Sequence, residues 1–273
     1  MTVRTRYLAA SVAAIALAGA GVLSGATQTA AQPAPAVKAA PADGAAKWGY
    51  IGDVGPSHWD DLGFPMCGEG KKQSPIDINA SRSRGIANPR FAYGTVKLEL
   101  TDNGHGVNTG PVKGSKPNTV KHGGKTYTFA QFHHHAPSEH QIDGIHYPAE
   151  MHFVNQAEDG SLAVFGVMFR GGGKENKAWK PVIDVITQPD GDKKATAKAD
   201  LNALLPKDRR SFRYEGSLTT PPCSEGVAWT VFTTPVTLSS AQLNEVMEAY
   251  QGNARPVQPL NGRSVLFDRT SGR

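Results

Sequence analysis

The stretch QFHHHAPSEH, from Gln131 to His140, carries four of the nine histidines in this 273-residue chain. Residues 126–135 read as one strand, and side chains on a strand alternate faces with period two. Tyr127, Phe129, Gln131, His133 and His135 are therefore expected on one face, with Phe132 and His134 on the other. Two imidazoles at i and i+2 can close on one ion. A third candidate, His152, lies in AEMHFVNQ, where Glu150, His152 and Val154 share a face and Met151 and Phe153 take the opposite one. The intervening APSEHQIDGIHYP is rich in turn formers, which lets the two strands run side by side. Three neutral histidines leave a divalent ion its full charge and an open fourth position, the arrangement of a catalytic zinc. Gln131 and Glu150 each precede a candidate ligand by two residues on the same face, where they can accept the ring's other N–H. An H-x-H pair alone is a weak signal. His58, His122 and His146, near turns, read as solvated.

These histidines must be held by a framework, and most of it reads as strands. Residues 95–100 alternate, with Val96, Leu98 and Leu100 apolar between polar neighbours. KHGGKTYTF is a hairpin with Gly123-Gly124 at its turn. Residues 162–169, LAVFGVMF, form a continuous apolar run suited to a strand covered on both faces, and residues 227–232 form another strand. Helices are few. In SSAQLNEVMEAYQG, Leu243, Val246, Met247 and Tyr250 have helical spacing behind a serine cap, with Gly252 beyond the end. A second helix is expected over 175–187. The fold class is mainly β (α+β): a large twisted, mostly antiparallel central sheet with peripheral helices.

Residues 1–31 resemble a secretory signal peptide, with Arg4 and Arg6 ahead of an apolar stretch too short for a membrane span and no cysteine to carry a lipid anchor. Residues 32–45, dominated by Ala and Pro, read as a disordered tether. Residues 46–270 then form a single domain. The expected location is outside the cytoplasm, in the periplasm or secreted. Export and an even count favour a disulfide between the two cysteines, Cys67 and Cys223. The net charge is +5, but the basic residues are scattered, which argues against a nucleic-acid partner. A homodimer is compatible with the sequence.

The chain resembles the α-class carbonic anhydrases over nearly its whole length after the tether. The resemblance rests on KWGYIGDVGPSHW, KQSPIDI, DNGHGVN, QFHHHAPSEH, AEMHFV, LAVFGV, GSLTTPPCSEGVAW and NARPVQPLNGR, which occur in that family's order. It implies a twisted, mainly antiparallel sheet with a conical metal cleft, and a Zn²⁺ enzyme that reversibly hydrates carbon dioxide to bicarbonate and a proton through zinc-bound hydroxide. His133, His135 and His152 match the zinc ligands, and Gln131 and Glu150 the residues that hold them. Thr219 matches the threonine that accepts a hydrogen bond from the hydroxide, and Glu139 the carboxylate that accepts that threonine's proton. His105 matches the proton-shuttle histidine. Val154, Val164, Leu218 and Trp229 match the apolar wall for carbon dioxide, with Thr220 beside it. His134 stands where an aromatic residue is often found, and Ala136 where many animal members carry tryptophan; APSEH resembles the bacterial branch. Two other readings on the same scaffold are a non-catalytic binding module and a zinc esterase.

Overall fold

A computed structural model describes residues 47–79, 81–83, 86–187 and 196–270; the expected leader (1–31) and tether (32–45) lie outside them. The strands, in chain order, are β1 Asp77–Ile78, β2 Arg82–Ser83, β3 Arg90–Ala92, β4 Thr95–Asp102, β5 Val107–Pro111, β6 Thr119–His122, β7 Lys125–His135, β8 Gln141–Ile142, β9 Ile145–His146, β10 Ala149–Gln156, β11 Leu162–Arg170, β12 Thr196–Asp200, β13 Ser211–Ser217, β14 Glu225–Phe232, β15 Val236–Thr237 and β16 Leu266–Asp268. The α-helices are α1 Met66–Glu69, α2 Lys180–Ile186, α3 Leu201–Leu204 and α4 Ser240–Ala249.

The large sheet follows the order β12-β4-β5-β7-β10-β11-β14-β13-β16-β2, and β1, β8 and β9 form a small second sheet. Most pairings are antiparallel. The central β11–β14 pair is parallel, so the sheet is mixed. β4 forms because its alternation buries Val96, Leu98 and Leu100 on one face. The β6–β7 turn places Gly123 and Gly124 at φ 55° and 82°. That left-handed backbone closes a two-residue hairpin at low cost only with residues such as glycine. β11 is buried from Leu162 to Phe169 because apolar clusters cover both of its faces. One contains Phe132, Phe153 and Phe165, the other Val164 and Trp229.

α4 starts where expected. Ser239 accepts from the Gln242 N–H, and the Gln242 side chain answers in a capping box. The helix expected over 175–187 covers only Lys180–Ile186. Asn176 Oδ1 accepts from the N–H groups of Ala178 and Trp179, an alternative to helical bonding that ends in a turn. Pro181 then suits only the first turn of the helix.

One expectation on β7 fails. Tyr127 and Phe129 do not share a face with His133; they pack with Phe132 and Phe153 in the apolar cluster on the other side. The ladder to β10 pairs Val154 with Gln131 but Asn155 with Phe129. Ala130 is thus an extra residue, a β-bulge that reverses the alternation upstream. Gln131, His133 and His135 keep their common face. Cys67 and Cys223 are joined in a disulfide with Cα atoms 5.0 Å apart, packed with Trp59 and Phe64. Such bonds persist in oxidising, extracytoplasmic settings. Among the described residues no helix is long and apolar enough to cross a membrane.

Candidate active site

The β7–β10 ladder sets His152 directly opposite His133 and Glu150 opposite His135. The ring centroids of His133, His135 and His152 are 4.6 to 5.4 Å apart, and one ligating atom from each lies within 4.8 Å of the others. In each ring the other nitrogen faces an acceptor. His133 Nδ1 lies 2.9 Å from Gln131 Oε1, His135 Nδ1 2.6 Å from the Asn253 carbonyl, and His152 Nε2 3.1 Å from Glu150 Oε1. This leaves Nε2, Nε2 and Nδ1 to converge. His135 Nε2 and His152 Nε2 are buried without a hydrogen-bond partner among the described residues, the latter close to Glu150 Oε1 but not aligned for a full hydrogen bond. An orphaned ring nitrogen in a group of three imidazoles fits a divalent, nitrogen-preferring ion such as zinc.

The electrostatics favour the neutral rings that metal binding requires. Burial, reinforced by the neighbouring histidines, holds His133 well below the usual imidazole range. Burial lowers His135 to about 4 and also lowers His152. Glu150 is fully buried. Burial alone would raise its pKa, but His140 and His152 hold it well below the usual carboxylate range.

Glu150 belongs to a longer chain of buried groups. Its Oε1 lies 2.8 Å from His140 Nδ1, its Oε2 accepts from the His140 N–H, and His140 Nε2 lies 2.6 Å from the Tyr214 hydroxyl, which in turn meets Ser74 Oγ at 2.9 Å. Gly166 faces His152 on β11, and a Cβ there would stand 2.6 Å from Glu150 Oε1. Only glycine leaves the carboxylate its place. His134, paired with Met151, is buried outside the triad, and burial lowers it to about 4.

Glu139 is also fully buried, 3.4 Å from His135 Nε2 through its Oε2. Its Oε1 accepts from the Arg255 N–H at 2.8 Å. The Arg255 guanidinium is pinned by Gln73 Oε1 and the carbonyls of Ser74 and Cys67, and stacks over Trp59. Burial pushes Glu139 up to about 7, against the pull of His152, the Arg255 N–H and the Thr219 hydroxyl. Thr219 is near enough to exert that pull, while Glu139 Oε2 makes no full hydrogen bond among the described residues. Thr219 and Thr220 lie in the loop between β13 and β14, which carries Cys223; the Cys223 N–H donates to the Thr220 carbonyl.

Val154, Val164 and Trp229 form one row across β10, β11 and β14, and Leu218 packs against the same cluster. The Trp229 ring stands 4.8 Å from His152. His105 is half-buried and stacked flat on Trp48, and its Nε2 lies 2.8 Å from the Trp48 carbonyl. His140 stands in QFHHHAPSEH and Asn253 and Arg255 in NARPVQPLNGR, but spacing alone gives neither these nor Tyr214 a partner.

The family model described as eukaryotic-type carbonic anhydrase matches residues 54–269. A carbonic anhydrase of Klebsiella pneumoniae is 41% identical over 228 residues, 81% of this chain and 91% of that protein. Among solved structures, the α-carbonic anhydrase of Thermovibrio ammonificans, in complex with the inhibitor sulfanilamide, is similar with a TM-score of 0.75 at 43% identity, covering 82% of this chain and 100% of that one. The Photobacterium profundum α-carbonic anhydrase is similar with a TM-score of 0.73 at 40% identity, covering 81% and 100%.

Proposed function

The chain belongs to the eukaryotic-type, or α-class, carbonic anhydrase family, and from that premise we propose that it is a zinc-dependent enzyme hydrating carbon dioxide to bicarbonate at the His133, His135 and His152 cluster. The family is one of lyases. The observation that carries the reading is the convergence of three ring nitrogens whose opposite nitrogens already face acceptors.

His133 and His135 would offer Nε2 to the ion and His152 would offer Nδ1. Zinc supplies the Lewis acidity that makes water a nucleophile at neutral pH, an effect for which carbonic anhydrases are the reference example. Gln131 and the Asn253 carbonyl orient the His133 and His135 rings, and Glu150 lies 3.1 Å from His152 Nε2, where it can orient the third. Glu139, anchored by the Arg255 N–H, would accept a hydrogen bond from the Thr219 hydroxyl, which turns that hydroxyl's lone pair toward the histidine cluster. Val154, Val164, Leu218 and Trp229 give carbon dioxide an apolar resting surface beside Thr220. His105 passes the released proton to solvent from a ring that starts stacked on Trp48. The leader, the tether and a catalytic domain over 46–270 fit an exported enzyme of the periplasm or the medium, consistent with the disulfide.

Chelation tests the reading. The mature protein is expected to hydrate carbon dioxide, to lose that activity on metal removal, and to regain it with one equivalent of Zn²⁺. Hydration that persists in the metal-free protein contradicts it.

A further inference from the structure

A second cleft, of about 1300 Å³, opens on the other side of the large sheet. It lies between residues 87–91, 202–209 and 234–237. Phe91 lines it and packs on Phe165 at 5.0 Å. Phe165 and Val164 are neighbours on β11 and so point to opposite faces. Val164 shares the face of Gly166, the partner of His152, which sets this cleft apart from the His133, His135 and His152 cluster.

Arg209 lines the cleft as a cation without a counter-ion among the described residues. Its guanidinium lies 5.2 Å from the Phe91 ring centre and 5.8 Å from that of Phe232. Nη2 donates to Asn202 Oδ1 at 2.9 Å, and Nη1 is shut from solvent with no acceptor among the described residues. The adjacent acid, Asp208, is occupied: Arg210 holds it at 2.5 and 2.8 Å, and Thr234 donates to it at 3.1 Å. Arg90 and Lys207 stand exposed on the same cleft, and Leu205, Pro206 and Val236 supply apolar wall. A half-buried cation that meets, among the described residues, an amide oxygen and two aromatic faces gains from an anion. A carboxylate brings charge-assisted hydrogen bonds to such a group. The apolar wall favours one charged end on an apolar body over an anion charged all round, whose further oxygens would lose water against Leu205 and Val236.

We propose that this cleft binds a small organic monoanion, a carboxylate on a flat apolar body, with Arg209 as its anchor and the Leu205–Pro206–Val236 wall as its seat. Benzoate is the probe, titrated into the zinc-loaded mature protein and followed by the amide resonances of Phe91 and Thr234, which separates this cleft from the histidines. Saturable movement of both is expected. Arg209→Leu should weaken it at least tenfold, Ala203→Trp, which fills the cleft from an exposed position on α3, should do the same, and carbon dioxide hydration should not change. Benzamide should bind at least tenfold more weakly than benzoate. If Arg209→Leu fails to fold, Ala203→Trp and benzamide decide. The proposal is overturned if the two resonances do not saturate, if Ala203→Trp binds benzoate as the native protein does, if benzamide matches benzoate, or if inorganic phosphate displaces benzoate at lower concentration.

Discussion

The imidazole of His105 lies flat on the indole of Trp48, centroids 3.6 Å apart and planes within 10°, while its Nε2 meets the Trp48 carbonyl at 2.8 Å. The proposed proton carrier thus starts from a ring held by one stack and one hydrogen bond. His105→Ala is expected to slow turnover on the order of a hundredfold in weak buffer. The rate should return when imidazole buffer is added, since a free carrier can replace the tethered one. A variant equally slow at every buffer concentration would give His105 a structural role.

Thr219→Ala should keep its zinc. It removes one hydroxyl from the cleft and none of the three rings. The expected loss in kcat/KM is roughly 10- to 100-fold, or about 1–3 kcal/mol for one positioned hydrogen bond. Metal analysis run beside the kinetics distinguishes this from a collapsed site; a zinc-free Thr219→Ala protein would refute the assignment.

The disulfide spans 156 residues and ties α1 to the loop carrying Thr219 and Thr220. Cys67→Ser with Cys223→Ser should lower unfolding stability by about 2–5 kcal/mol, the usual range for a native disulfide. Chemical denaturation of the oxidised wild type against the double variant measures it. Equal midpoints would mean that Arg255, which already holds the Cys67 carbonyl, is sufficient to fix this corner.

His122 is not solvated as its position near a turn suggested. It sits half-buried against Phe165 and Tyr127, and burial, with the charge of Arg213 adding to it, lowers its pKa from 6.5 to about 4. Arg213 is itself paired with Asp268. Between pH 6.5 and about 4 the unfolded chain binds a proton at His122 that the folded chain refuses, so stability falls as pH falls through that window. His122→Gln should lose less stability there than the wild type. Parallel pH profiles for the two proteins would contradict this.

Much of the histidine cluster was legible because its information is local. His133 and His135 are two apart on one strand, His152 lies on the next long strand, and alternation alone gives each a face. The bulge at Ala130 was hidden because an inserted strand residue has no side-chain signature, so Tyr127 and Phe129 were placed on the wrong side. The partners that fix the site come from far along the chain. Asn253 reaches His135 across 118 residues, and Arg255 reaches Glu139 across 116. His140 stood in the opening motif, yet its link to Glu150 depends on the turn between β7 and β10, which spacing does not specify. The shortened α2 reflects one asparagine side chain competing for backbone N–H groups.

The account rests on three imidazoles closing on one ion, and X-ray absorption at the zinc edge reads that most directly. The zinc-loaded mature protein should show three imidazole nitrogens and one further oxygen donor at roughly 2.0–2.1 Å, with no sulfur. His152→Ala should lose one imidazole, or the zinc altogether, together with carbon dioxide hydration. A first coordination sphere that is identical in His152→Ala and the wild type, or one built on fewer than three imidazoles in the wild type, would contradict it.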